Sequence, residues 1–300
     1  MKVCSFLPAA TQMIQAMNLD HYLCGVTFEC KSDRPKVVRS ILEGNRYSSR
    51  EIDIIVSESK AKGENLYWID EELLQSLAPD VIFTQDVCDV CQIDTSLVMR
   101  SVHKLKKAPL MVPLIPRTLE DVYQNMATIA KTLGQAERAE RKMVEIHKRE
   151  NAVLDKLRNE GAPLKRVMVM EFLDPIYNCG HWIPYQIAKA GGVDMLSNPA
   201  GYSVVTEWEK IRRYNPEVLV VSPCGFDVER TLSEIHILKE KEGWYDILAV
   251  KNGAVFVADS QFFTQPSETL VDGIEMLAGF FHPELFQVPS EYRHFYRRVA

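Results

Sequence analysis

Apolar residues fall in short continuous blocks along this chain. Positions 3–7, 23–28, 81–84 and 110–115 form one set, and 167–172, 218–222 and 254–258 form another. A strand that is apolar on both faces belongs in a parallel sheet covered by helices. Between the blocks, Met13, Ile14, Ala16 and Met17 recur at helical spacing, as do apolar positions over 183–190 and 270–281. The alternation predicts an α/β fold with mainly parallel sheets. Residues 33–62 are polar and predict a loop with a surface helix around 51–59.

One helix–proline–strand segment occurs twice. It runs from Asp70 through Pro79 to Thr84, and again from Glu207 through Pro216 to Val221, with Glu72 falling on Glu209. In each copy a short amphipathic helix is stopped by a proline, which cannot donate to the helix ladder, and an apolar strand follows. The duplication predicts two similar lobes, 1–117 and 161–300, with a ligand cleft between them. Residues 118–160 connect the lobes. Thr118 caps a helix that ends at Gly134. Residues 136–157 form a second helix, roughly 33 Å long at about 1.5 Å per residue.

Composition narrows the function classes. The chain has 300 residues, 46% hydrophobic and 25% charged, with a formal net charge of −6. That is an ordinary globular composition without the basic face of a nucleic-acid binder. No apolar run approaches the roughly 18 residues of a membrane span. The start, Met1-Lys2-Val3-Cys4-Ser5-Phe6-Leu7-Pro8, lacks the apolar core of a signal peptide. A cytoplasmic location is therefore expected as written, and an extracytoplasmic one if a leader has been removed. Seven cysteines and a large core favour reduced thiols over a disulfide framework.

Ligands of open α/β sheets bind beyond the carboxyl ends of the strands. The residues following the predicted strands are Glu29 and Cys30; Asp86, Cys88 and Cys91; Cys179, His181 and Trp182; and Cys224, Phe226 and Asp227. Three readings of these loops stand open. Cys88 and Cys91 have the spacing of half a zinc knuckle, to which Cys30, Cys179, His181 or Cys224 would add ligands for zinc or iron. The same CxxC is also the spacing of a redox dithiol. Otherwise the thiols pack as small hydrophobes beside a ligand. Trp68, with the other loop aromatics, suits a large flat ligand. Enzyme signatures (GxGxxG, GxxxxGK[ST], GxSxG, HExxH) are missing, which favours binding over catalysis.

Several segments together resemble a known family. They are Ser5-Phe6-Leu7-Pro8-Ala9-Ala10-Thr11, Cys24-Gly25-Val26-Thr27, Leu77-Ala78-Pro79-Asp80-Val81-Ile82, Asn215-Pro216-Glu217-Val218, and the run from Gly243 to Phe256. In that order they resemble the helical-backbone (class III) periplasmic-binding proteins, which serve cobalamin and ferric-siderophore ABC importers. Thr27-Phe28-Glu29-Cys30, the Thr84–Cys91 loop, Gly180-His181-Trp182-Ile183-Pro184 and Pro223-Cys224-Gly225-Phe226-Asp227 are similar to its cobalamin-binding subgroup. The resemblance implies a non-enzymatic protein that holds a corrinoid between two lobes. It implies that Trp68, Trp182 and Phe226 contact the macrocycle and that His181 or a thiol approaches the metal. Asp86 and Asp227 would receive amide groups, with Glu29, Cys30, Cys88 and Cys224 lining the site. Glu72 and Glu209 occupy the places where exported relatives dock on a permease. The alternative is a cytosolic metal-binding or corrinoid-processing protein built on Cys30, Cys88, Cys91 and Cys224.

Overall fold

The computed structural model describes residues 1–85 and 95–300; Asp86, Cys88 and Cys91 lie outside the described residues. In chain order the elements are β1 (Val3–Ser5), α1 (Pro8–Ala16), β2 (Leu23–Thr27), β3 (Lys36–Ser40), α2 (Ser49–Lys62), β4 (Tyr67–Ile69), α3 (Glu71–Leu77), β5 (Val81–Gln85), α4 (Thr95–Val102), β6 (Leu110–Leu114), α5 (Leu119–Thr132) and α6 (Ala136–Asn159). There follow β7 (Lys165–Met170), β8 (Phe172–Leu173), β9 (Ile176–Tyr177), β10 (Gly180–His181), α7 (Ile183–Lys189), β11 (Gly192–Val193), β12 (Asn198–Pro199), α8 (Trp208–Tyr214) and β13 (Val218–Val221). The chain ends with α9 (Val228–Glu234), α10 (His236–Lys239), α11 (Leu248–Lys251), β14 (Val255–Ala258), α12 (Leu270–Phe281) and β15 (Tyr296–Arg298). The α/β class expected from the apolar blocks is the observed one.

Two compact units form. The first comprises Met1–Tyr47, Glu51–Pro116 and Glu120–Met143; the second comprises Ser48–Arg50, Arg117–Leu119 and Val144–Ala300. The division falls inside α6, between Met143 and Val144.

Unit 1 is built on a six-stranded sheet in the order β4-β3-β2-β1-β5-β6, parallel except for the β3–β4 pair. Cys4, Val37, Ile82 and Leu74 meet in its core. Strands β3 and β4 arise where the sequence predicts loop. Lys36-Val37-Val38-Arg39-Ser40 sits in a polar stretch and β4 is only three residues long, so neither carries a strand signal of its own. Antiparallel pairing of Val38 with Ile69 supplies it.

Unit 2 is built on a five-stranded sheet, β11-β7-β13-β14-β15, parallel except for the closing β14–β15 pair. Met168, Leu219, Val257 and Trp244 form its centre. Beyond β7 the chain makes a β8–β9 hairpin and a short parallel pairing of β10 with β12.

The duplicated segment folds alike in both units. Helices α3 and α8 each span seven residues and end on a left-handed residue, Ala78 (φ 46°) and Asn215 (φ 52°). The cap N–H donates back into the helix, Ala78 to Leu74 O at 3.1 Å and Asn215 to Ile211 O at 2.9 Å. A proline follows at once and prevents the helix from continuing. Two positions on, Asp80 N donates to Lys2 O and Glu217 N to Arg166 O, which sets β5 beside β1 and β13 beside β7. One difference separates the copies. Asn215 Oδ1 also accepts from Leu248 N at 2.8 Å, whereas an alanine has no such group.

An L-residue with a Cβ in the left-handed region costs about 1–2 kcal/mol, which glycine avoids. Ala78→Gly is therefore expected to stabilise the protein by about 1 kcal/mol in denaturant titration. Asn215→Gly is expected to gain nothing, because the Leu248 hydrogen bond is lost with it. Equal shifts in the two variants would refute this account of the caps.

Candidate functional site

In unit 1 the loop after β2 is tied down by its own backbone. Cys30 N donates to Thr27 O at 3.1 Å, and Lys36 Nζ donates to Cys30 O at 2.6 Å and to Ser32 O at 2.9 Å. The Cys30 thiol points inward, donating to Thr11 Oγ1 at 3.1 Å, and burial pushes it up to about 11. That corrects its expected role as a lining thiol or metal ligand: it is a protonated core side chain. Its neighbour Glu29 keeps solvent access while protein crowds around it, and this desolvation pushes its carboxyl up to about 7. Trp68, in register with Arg39 on β4, is 46% exposed between buried Tyr67 and Ile69.

In unit 2 the segment around His181 is held by backbone on both sides. Gly180 N donates to Glu171 Oε1 at 2.8 Å, His181 N to Gly201 O at 2.7 Å, and Ala200 N to His181 O at 3.1 Å. A Cβ on residue 180 would stand 2.5 Å from Ser203 N and 2.6 Å from Gly201 O, so the close approach requires glycine. His181 itself is left-handed, with φ 51°. Such strain in a histidine persists only where the surroundings over-determine it. Its ring lies 5.3 Å from those of Trp182 and Tyr202, and its Nε2 is buried with no hydrogen-bond partner. Desolvation, and after it the Arg117 charge, pull its pKa below the usual histidine value, so the ring is neutral near pH 7. Arg117 lies over the Tyr202 ring, 5.8 Å from the centroid. A neutral, half-buried imidazole with a free nitrogen can coordinate a metal.

The other predicted contacts in this unit divide. Trp182 is buried and donates its indole N–H to Phe263 O at 2.6 Å. Phe226 is 1% exposed, edge-on to Phe172 and capped by the Arg230 guanidinium 3.6 Å from its centroid. Neither has a free face for a macrocycle; both brace the loops from within, since rings of this size gain most when fully buried. Asp227 is exposed and caps α9, accepting from Arg230 N at 2.8 Å. Cys224 is half-buried and donates its N–H to Glu171 O at 2.9 Å.

Asp86, Cys88 and Cys91 lie outside the described residues. Among the described residues, no group of three His, Cys, Asp or Glu side chains is set to hold a metal ion. Glu72 and Glu209 are each the second residue of a seven-residue helix, α3 and α8, and both are exposed. Glu209 pairs with Arg212 at 3.0 Å; Glu71 takes the Lys104 pair at 2.7 Å, and among the described residues Glu72 is in no ion pair.

Arg117, Tyr202 and Asp194 escaped the sequence reading. Arg117 and Tyr202 reach His181 only through the fold, and Asp194 follows a two-residue edge strand with no motif. Asp194 accepts from Val169 N at 3.1 Å, from Leu196 N at 2.9 Å and from the Cys179 thiol at 3.6 Å. Burial nevertheless pushes its carboxyl up to about 6, and holds Cys179 well above the usual thiol range.

An acid whose folded pKa exceeds its unfolded value stabilises most at low pH. For Asp194 that contribution is present below about pH 4 and is lost as pH rises through about 6. Asp194→Asn is expected to gain stability relative to the parent by about 2 kcal/mol between pH 4 and 6.5. Parallel stability profiles for the two proteins would contradict the assignment.

Comparison with known proteins agrees with this architecture. A family model described as "Periplasmic binding protein" matches residues 56–262. A curated relative in Bacillus subtilis (strain 168), an uncharacterized ABC transporter substrate-binding lipoprotein named YvrC, is 22% identical over 296 residues, covering 95% of this chain and 81% of the relative. A periplasmic heme-binding protein from Pseudomonas aeruginosa superposes with a TM-score of 0.72 at 15% identity, over 100% of this chain and 99% of its own. The vitamin B12-binding protein BtuF of Vibrio cholerae gives 0.66 at 15% identity, over 95% and 98%. Heme-binding RhuT from Roseiflexus sp. RS-1 gives 0.67 at 17% identity, over 94% and 98%. These structural likenesses share the fold, and the family model covers more than half of the chain: it belongs to the periplasmic binding protein family.

Proposed function

We propose that this protein is the substrate-binding component of an ABC-type importer and that its cargo is a corrinoid or a similarly flat, bulky metal chelate. One observation carries the reading: His181 is neutral, is strained into a left-handed conformation, and has a buried Nε2 without a partner. An imidazole in that state is suited to donate a lone pair to the cargo's metal. Tyr202 and Arg117 beside it supply flat and cationic surfaces of the kind a macrocycle with polar substituents uses. Relatives of the same fold that bind vitamin B12 or heme support this cargo class. The lipoprotein relative supports an extracytoplasmic place of work, in preference to the cytoplasmic one expected from the first residues. Catalysis has no part in the reading.

Docking on a permease is assigned to Glu72 and Glu209, which stand at matching positions on α3 and α8. Glu72 is the freer of the two, because Glu209 has to release Arg212 first. An exposed pair of that kind is worth about 0.2–1 kcal/mol.

Absorbance titration of the purified protein with cobinamide, cobalamin and haemin tests the cargo. At least one is expected to bind with a visible-band shift that His181→Ala abolishes. No binding of any of the three at about 50 μM, a limit near −6 kcal/mol, would overturn the proposal. Glu72→Lys and Glu209→Lys are expected to leave that titration unchanged while reducing uptake in cells that depend on the protein, Glu72→Lys more strongly. Undiminished uptake in the double variant would remove the docking assignment.

A further inference from the structure

Two cysteines that no ligand reading uses meet inside unit 1. Cys4 Sγ and Cys24 Sγ are 3.7 Å apart, on the adjacent parallel strands β1 and β2. Regular register would not bring them together. Cys4 stands opposite Gly25, and the neighbour of a facing residue normally projects from the other side of the sheet. The ladder slips here: Val3 pairs with Leu23 and Cys4 with Gly25, so Cys24 is an extra, bulged residue. A bulge re-aims the side chain it carries, and this one turns the Cys24 thiol onto Cys4 and Val3 O, the latter at 3.3 Å. Gly25 completes the arrangement. A Cβ there would lie 2.6 Å from Val37 Cγ2 and 3.0 Å from Cys4 Sγ, so any other residue would crowd the pair.

The two thiols are unequal. Cys4 is fully buried, whereas Cys24 is half-buried. The hydrogen bond from Cys4, backed by the charges of Lys2 and Arg34 and opposed by burial, lowers the Cys24 pKa below the usual thiol value. The same bond and burial push Cys4 far above it. A half-buried thiol next to a fully buried thiol in contact with it is the arrangement of an attacking and a resolving cysteine.

We propose that Cys4 and Cys24 form an oxidisable dithiol that a hydroperoxide converts to an intrachain disulfide across the β1–β2 bulge. In the first step the Cys24 thiolate attacks the terminal oxygen of the hydroperoxide. The O–O bond breaks, the alkoxide or hydroxide leaves and takes up a proton, and Cys24 becomes a sulfenic acid. In the second step Cys4 sulfur attacks Cys24 sulfur, the S–O bond breaks, and the Cys4 proton leaves with the hydroxyl as water. Each sulfur loses one electron, and the hydroperoxide accepts both. The sulfurs have to close by about 1.7 Å to reach bonding distance, which is within the reach of side-chain rotation. The site is independent of the cargo reading, because neither cysteine lies in the loops assigned to the cargo.

The test treats the Cys88→Ser/Cys91→Ser protein with hydrogen peroxide, so that the CxxC cannot supply a competing disulfide. After blocking free thiols under denaturing conditions, trypsin releases residues 3–31 as one peptide, and chymotryptic cuts after Phe6, Tyr22 and Phe28 separate Cys4, Cys24 and Cys30. The expected product is a disulfide joining the Cys4 and Cys24 fragments, with a mass loss of about 2 Da, reversed by dithiothreitol. In Cys4→Ala the bond cannot form, and dimedone is expected to trap the Cys24 sulfenic acid instead. Blocked, unoxidised thiols at both positions, or Cys24 joined to Cys30, would overturn the proposal on this protein alone, whatever the folding of the Cys4→Ala variant.

Discussion

Both sheets depend on the same local event, a seven-residue helix cut off by a left-handed residue and a proline. The cut delivers β5 and β13 to interior positions of their sheets, each flanked on both sides by parallel strands. The left-handed turn carries a cost of about 1–2 kcal/mol at Ala78. Burial outweighs it. Ile82 and Phe83 in one copy, and Leu219, Val220 and Val221 in the other, are fully buried, and each apolar side chain removed from water contributes about 1.5–3 kcal/mol. The turn can therefore be strained without endangering the fold, and the segment tolerates alanine at one cap and asparagine at the other.

The same balance recurs at the candidate site. Gly180 and His181 are clamped by backbone from residues 200–203, and Trp182 is anchored behind them in the core. A rigid support of this kind lets one imidazole remain neutral, with a nitrogen buried and unpaired, a state that costs free energy in the absence of a ligand. Among the described residues, His181 combines a left-handed backbone with an unsatisfied buried polar atom.

The cysteines divide along different lines from those their positions suggest. Five of the seven follow predicted strands, which points to the loops as their place of action. Cys30 and Cys179 are instead fully inside, with pKa values raised by burial, and act as small apolar residues. The pair in mutual contact, Cys4 and Cys24, lies in strands, brought together by a bulge that no periodicity announces. Trp182 and Phe226 follow the same logic: aromatic residues next to a site are as useful bracing it as touching the ligand.

What the sequence determined alone is the set of features written in local order. Continuous apolar blocks specify the parallel strands, because such strands are buried on both faces. The proline after each repeated helix specifies where that helix stops, and the repetition specifies two sheets that each contain the same helix–strand unit. Glycine before His181 marked a special backbone position. Tertiary structure decided everything that rests on partners distant in the chain. Strands β3, β4 and β15 exist because antiparallel neighbours complete their hydrogen bonds. The neutrality of His181 depends on burial and on Arg117, 64 positions upstream. The pairing of Cys4 with Cys24 depends on a one-residue slip in a ladder. Hydrogen-bond complementarity, desolvation and register belong to pairs of segments, so no single stretch of the chain encodes them.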